Sequence, residues 1–147
     1  MKTVVLYASS HGSTRRVVKT LAETVKFSFD CFDVKGLTDS SVMDKYDVFL
    51  FFCPTYGYEE LQQDMERFII DFRLDMSRKY YAICELGNYY GYEADFGAMK
   101  IIRHHLEKLC GRELVSPLSM DSLPKKDWKA FATWCGILND RLRETDE

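Results

Sequence analysis

Ser9, Ser10, Ser13 and Thr14 place four hydroxyls within six residues, with His11 and Gly12 between them. An apolar run, TVVLYA at 3–8, comes before them, and Val17, Val18, Leu21 and Val25 follow at helical spacing. A hydroxyl-rich turn between a buried strand and a helix has the chemistry of a phosphate cradle. The first amides of such a helix have no partner within it, and its positive dipole end faces the turn. The hydroxyls add donors, and Gly12 lets the backbone approach an anion closely. An ordinary Ser/Thr-capped helix start accounts for the same residues equally well. Neither the Gly-Lys-Ser/Thr of a Walker loop nor a Gly-x-Gly-x-x-Gly fingerprint is present.

Two further loops carry aromatic chemistry. PTYGYEE at 54–60 places a tyrosine before a glycine at a strand exit, where the intervening peptide can flip at little cost. LGNYYGYEAD at 86–95 sets three tyrosines beside two glycines. Tyrosines in glycine-rich loops make poor core residues but good walls for a flat aromatic ligand. Loose surface packing would explain either loop alone, but not both beside a phosphate turn.

The elements that must position these loops can be read from periodicity. Strand-like runs fall at 3–8, 27–34, 47–53, 79–85 and 113–118. The first, third and fourth are nearly unbroken apolar runs, the mark of strands covered on both faces. Helical spacing predicts helices at 14–26, 61–73, 96–110 and 125–143, with Pro124 suited to the start of the last. Residues 36–46 read as a weaker, short helix. Five alternations of strand and helix predict one domain spanning 1–147, an α/β doubly wound five-stranded parallel sheet with helices on both faces. Ligands bind such sheets at the carboxyl ends of the strands, where the three unusual loops lie.

Composition excludes several function classes. The chain has 147 residues, is 46% hydrophobic and 29% charged, and has a net charge of −3, which favours no nucleic-acid partner. No apolar run approaches the ~20 residues of a membrane span. The opening Met-Lys enters a strand at once, so a cytoplasmic location is expected. The five cysteines lack Cys-x-x-Cys spacing, which predicts buried thiols, no disulfide framework and no metal. Charge is uneven: 58–76 hold six acids against two arginines, and 1–26 hold five bases against Glu23.

These loops resemble those of the flavodoxins. SSHGST stands where that family has a Ser/Thr-x-Thr-Gly-x-Thr loop around the phosphate of flavin mononucleotide (FMN). CPTYGYEELQQD is similar to its Cys/Ser-Pro-Thr-aromatic segment, and LGNYYGYEADF to its Gly-Asp-x-x-Gly-Tyr segment. The resemblance spans the chain in order, and a fifth strand without a long insertion points to the short-chain branch. It implies strand order 2-1-3-4-5, the order for which flavodoxin is itself a standard example.

It also implies a set of contacts. The phosphate would meet Ser9, Ser10, His11, Gly12, Ser13 and Thr14. Tyr56 and Tyr92 would wall the isoalloxazine, with Tyr89 or Tyr90 as alternatives to Tyr92. Backbone around Gly87, Asn88 and Tyr89 would face the pyrimidine edge, and the Tyr56–Gly57 peptide would face N5. Pro54, Thr55, Leu86, Asp95 and Phe96 complete the cofactor set. Three departures stand out: His11 replaces a threonine, Asn88 replaces a frequent aspartate, and the net charge is mild for the family.

The function so implied is a low-potential one-electron carrier with non-covalently bound FMN, cycling through oxidised, semiquinone and hydroquinone states. It is an electron-transfer protein more than a catalyst. A reductase would be its donor and an enzyme its acceptor, each docking near the flavin edge of a monomer that uses neither nucleic acid nor membrane. A flipped Tyr56–Gly57 peptide would accept the N5 proton, and stacked tyrosines with Glu59, Glu60 and Asp64 would make the second electron costly. The alternative is an FMN-dependent NAD(P)H or quinone oxidoreductase, which needs space against the flavin that Tyr56 and Tyr92 would fill. A phosphorylated receiver domain is rejected, because Ser9-Ser10 and Cys53-Pro54 stand where it needs acids. His104 and His105 lack a nucleophile at catalytic spacing and read as surface or helix-end residues.

Overall fold

A computed structural model describes residues 1–8, 13–38, 41–56, 60–61, 63–71, 74–87, 97–121 and 128–146. Strands β1 (Thr3–Tyr7), β2 (Asp30–Asp33), β3 (Val48–Tyr56), β4 (Glu60–Leu61), β5 (Tyr80–Gly87), β6 (Arg112–Glu113) and β7 (Leu118–Asp121) form one sheet. Its order is β2-β1-β3-β5-β6, with β7 also paired to β5 and β4 to β3. All pairings are parallel except β3 with β4. Counting β6 and β7 as one interrupted strand recovers the expected 2-1-3-4-5 order.

Alternation along β3 divides the core. Phe49, Phe51 and Cys53 join Val4, Leu6, Tyr81 and Ile83 on one face, while Val48, Leu50 and Phe52 join Val5, Ala82, Cys84 and Leu86 on the other. Both sets are shut off from solvent, so the strand reads as an unbroken apolar run. Helices α1 (Ser13–Thr24) and α4 (Trp128–Asp146) cover the second face with Val17, Val18, Leu21, Phe131, Trp134, Cys135, Leu138 and Leu142. Their spacing is the helical one, and Arg15, Arg16 and Lys19 stay exposed.

The first face is covered less regularly. The helix expected at 61–73 is a four-residue α-helix, α2 (Gln63–Glu66), followed by a π-helical turn at Arg67–Asp71. Met65, Phe68 and Ile69 are buried there. The Arg67 guanidinium reaches back to the carbonyls of Val34 and Lys35, at 3.4 and 3.2 Å, and ties this segment to the turn after β2. Helix α3 (Gly97–Lys108) adds Ile102 and Leu106. Two residues past its end Cys110 has a left-handed φ of 67°, and the Gly111 N–H closes on the Leu106 carbonyl at 2.9 Å.

Several boundaries depart from the sequence reading. The strand at 27–34 shortens to Asp30–Asp33, because it pairs only with β1, over Val4–Tyr7. Phe27 and Phe29 pack ring against ring before it, with centroids 6.2 Å apart. The weak helix at 36–46 is two 3-10 turns, Val34–Gly36 and Ser41–Met43. The last helix is described from Trp128, and Pro124 lies outside the described residues.

The strand expected at 113–118 is split. Tyr81 pairs with Glu113 and Cys84 with Leu118, so three steps on β5 face five on its neighbour. Two extra residues bulge out at 114–117, where Pro117 has no N–H to give the ladder. Trp134 fastens the bulge from α4 by donating its indole N–H to the Ser116 carbonyl at 2.9 Å.

Thiol burial also differs from expectation: Cys53, Cys84 and Cys135 are buried, but Cys31 and Cys110 are exposed, and none of the five is in a disulfide. Burial pushes the Cys84 thiol well up and that of Cys135 up to about 11, so both stay protonated. Among the described residues, no helix is long and apolar enough to cross a membrane.

Candidate functional site

The three unusual loops leave the sheet from adjacent strands at one edge. At the end of β1, Ala8 donates its N–H to the Phe52 carbonyl at 3.0 Å, so 9–12 begin beside the middle of β3. The chain re-enters at Ser13 as α1. Thr14, in the first turn, is only 1% exposed, a deep position for a hydroxyl. No acid occupies that turn, and Arg15 and Arg16 follow on the exposed side. Among the described residues, the positive helix end thus meets no acid from its own first turn.

Strand β3 continues past this point. Its last residues turn back in an antiparallel hairpin in which Thr55 faces Leu61 and Tyr56 faces Glu60. The short strand β4 was not expected, because two residues leave no periodic signal. The hairpin brackets 57–59, so the Tyr-Gly loop has fixed ends four residues apart. Pro54 lies level with buried Leu86 on β5, and Gly87 pairs with Asp121.

Of the expected cofactor residues, the described structure therefore brings Ser13, Thr14, Pro54, Thr55, Tyr56, Leu86 and Gly87 to one edge of the sheet. Ser9, Ser10, His11, Gly12, Gly57, Asn88, Tyr89, Tyr90, Tyr92, Asp95 and Phe96 lie outside the described residues.

One residue at this edge was missed. Glu85 has no exposed surface, and its carboxylate Oε2 accepts a hydrogen bond from the Met99 backbone N–H in the first turn of α3. The signal was available: an acid inside the apolar run YYAICEL needs a partner, since a buried carboxylate without one is very costly.

Other chemistry-bearing groups lie elsewhere. The His104 and His105 rings stand 5.8 Å apart on α3, and burial, with His104 and Lys108 nearby, holds His105 below the ordinary imidazole range. Two surface hollows, of about 450 and 400 Å³, sit against α2 and between the 114–117 bulge and α4. Among the described residues, neither is lined by an expected cofactor residue.

Comparison with known proteins agrees with this geometry. The flavodoxin family model matches residues 5–134. A flavodoxin of Maridesulfovibrio salexigens is 28% identical over 147 residues, covering 96% of this chain and 99% of that one. Flavodoxin 1 of Azotobacter vinelandii is 27% identical, covering 97% of this chain and 86% of its own. Oxidised flavodoxin 1 of Bacillus cereus superposes with a TM-score of 0.79 at 19% identity, over 98% of both chains. Fusobacterium nucleatum flavodoxin bound to flavin mononucleotide gives 0.72 at 17%, over 99% of this chain and 98% of that one. The chain belongs to the flavodoxin family.

Proposed function

We propose that this chain is a low-potential one-electron carrier with one non-covalently bound FMN, working as a cytoplasmic single-domain monomer between a reductase and an acceptor enzyme. The observation that carries the reading is the strand-exit edge. A helix start with a buried Thr14 and no acid lies one strand away from the Tyr56 hairpin, in a chain matched to the flavodoxin family along most of its length. FMN supplies the redox chemistry, and the protein positions it and tunes its potential.

The described residues fit such a group. Thr14 and the first amides of α1, with Ser9, Ser10, His11, Gly12 and Ser13, are assigned to the phosphate. The hairpin holds Tyr56 where β3 ends, and Tyr56 and Tyr92 are assigned to the two faces of the ring. Leu86, Gly87, Asn88 and Tyr89 are assigned to its pyrimidine edge. Pro54, Thr55, Asp95 and Phe96 complete the pocket. Gly57 gives the Tyr56–Gly57 peptide the freedom to turn a carbonyl toward a proton at N5. Glu59, Glu60 and Asp64 add negative charge near the ring, opposing the second electron and lowering the potential. Partners dock at the exposed ring edge.

Purified protein should carry the visible absorption of bound flavin, and the apoprotein should take up one FMN per chain. Gly57→Thr should make the first electron step harder by roughly 40–130 mV, since a β-branched residue at positive φ costs on the order of 1–3 kcal/mol. Spectroelectrochemistry would then show less of the half-reduced form. An unchanged yield of that form, with rapid oxidation of NAD(P)H by the holoprotein, would instead make the chain an FMN-dependent oxidoreductase.

A further inference from the structure

Strand β5 is apolar and covered on both faces, yet its third-last residue is a glutamate with no exposed surface. Glu85 follows Tyr81 and Ile83 in the alternation, so it faces α3, with Cys53 beside it in register on β3. Its carboxylate accepts from the N–H of Met99, the third residue of α3. That amide is one of those a helix start leaves without an internal partner, and the positive helix end favours a negative charge there. The helix start offsets the burial of the acid, and the acid supplies an acceptor to the helix start.

The placement matters because of what lies between the two residues. Gly87 ends β5 and Gly97 begins α3, so the Glu85–Met99 bond joins the two ends of the intervening segment 88–96. We infer that Glu85 is a positioning residue for the flavin site, a buried clasp that fixes both anchors of the 88–96 segment. This rests on the proposed FMN reading, which assigns Asn88, Tyr89 and Tyr92 to the ring. Fixing the anchors before a ligand arrives lowers the ordering cost of binding, so the clasp acts on affinity as well as on stability.

The ring and the phosphate respond differently, which makes the clasp testable. Glu85→Ala should raise the Kd for FMN and for riboflavin by the same factor, about tenfold or more, since hydrogen bonds to charged groups contribute on that scale. Loss at the phosphate loop would instead weaken FMN alone. Glu85→Gln keeps an acceptor in the same place and should restore both affinities to within about threefold of wild type. A folded Glu85→Ala protein with wild-type Kd values, or one that loses FMN but not riboflavin, would overturn the clasp.

Hydrogen exchange of the Met99 amide in the apoprotein supplies a readout independent of flavin and of the alanine variant's folding. It should speed up severalfold in Glu85→Gln, because a neutral acceptor is weaker than a charged one. Unchanged exchange would refute the bond. A wild-type chain that binds no FMN while showing this exchange difference would overturn the flavin reading and leave the Glu85–Met99 bond standing.

Discussion

The two ends of the sheet are built from the same strands and are finished differently. At the amino end the turns are sewn shut. Asp47 donates its N–H to the Lys2 carbonyl at 2.8 Å and accepts from the Lys2 N–H on its side chain at 3.0 Å. Tyr80 and Arg112 donate to the Asp47 and Lys79 carbonyls at 2.9 and 3.0 Å. The Lys79 ammonium caps the Asp44 and Tyr46 carbonyls and lies 5.4 Å from the Phe49 ring centroid, and Tyr46 donates to Asp30 at 2.6 Å. At the carboxyl end the helix starts at Ser13 and Gly97 and the exits of β1, β3 and β5 converge, with polar groups at hand. One end consumes its hydrogen-bonding capacity internally. At the other, among the described residues, Glu85 takes up the first-turn Met99 amide of α3, and polar groups of the strand exits are assigned to a ligand in the proposed function.

That contrast predicts which changes affect stability and which affect binding. The largest stability effect belongs to the amino end: Phe49→Ala, at a position fully shut off from solvent, should cost about 3–5 kcal/mol in denaturant unfolding. The FMN affinity of the protein that remains folded should not move. A matching loss of affinity would mean that the two ends are coupled.

Replacing Thr14 and Ser9 together by alanine tests the other end. FMN affinity should fall by about 1.5–3 kcal/mol more than riboflavin affinity, the scale of hydrogen bonds to a charged group. Unfolding should shift by about 1 kcal/mol or less. Equal losses for the two ligands would show that this turn does not hold the phosphate.

A subtler test returns to the amino end. Burial, and then the Asp30 hydrogen bond and charge, push the Tyr46 hydroxyl up to about 12 from an ordinary 10. The raised value favours the protonated, folded form, so its contribution is complete below pH 10 and disappears as the pH climbs through about 12. Tyr46→Phe should cost about 1 kcal/mol at neutral pH, where exposed Asp30 regains water. The gap from wild type should close between pH 10 and 12. A gap independent of pH would remove the hydroxyl as its cause.

The smallest effect is expected at a pair near the surface. Arg103 lies 2.9 Å from Glu113 and 3.6 Å from Glu107, but its side chain is 45% exposed. Arg103→Ala should cost only about 0.2–1 kcal/mol and should matter less in high salt. A larger, salt-independent loss would mean that the Arg103 stem also supports the packing of α3 on β6.

Legibility followed the length and regularity of the pattern. Strands β1, β3 and β5 were plain in the sequence because both faces are covered, which writes long apolar runs. Helices α1, α3 and α4 were plain from their buried stripes. The four-residue α2 and its π-helical turn were read as one helix, because Leu61, Met65, Phe68, Ile69 and Phe72 fit the α-helical period well. The two-residue bulge between β6 and β7 was invisible, since it exists only relative to the register of β5. At the site, the hydroxyl turn and the Tyr-Gly exit could be named from residue types alone. That Glu85 needs a buried partner was legible from the apolar run around it, but which partner was not, because it is a backbone amide fourteen residues away and amides carry no sequence signal.

By itself the sequence determined the alternation of strands and helices, the residues that turn inward, and the loops whose residue types suit a phosphate and a flat ring. These follow from local periodicity and side-chain chemistry, which each segment carries alone. Only the tertiary structure decided that the exits of β1, β3 and β5 stand side by side, and that a hairpin brackets the Tyr-Gly turn. It also decided that a buried carboxylate joins the end of one strand to the start of the next helix. Those facts depend on which strand lies beside which, and that is set by the joint burial of two apolar faces rather than by any one segment.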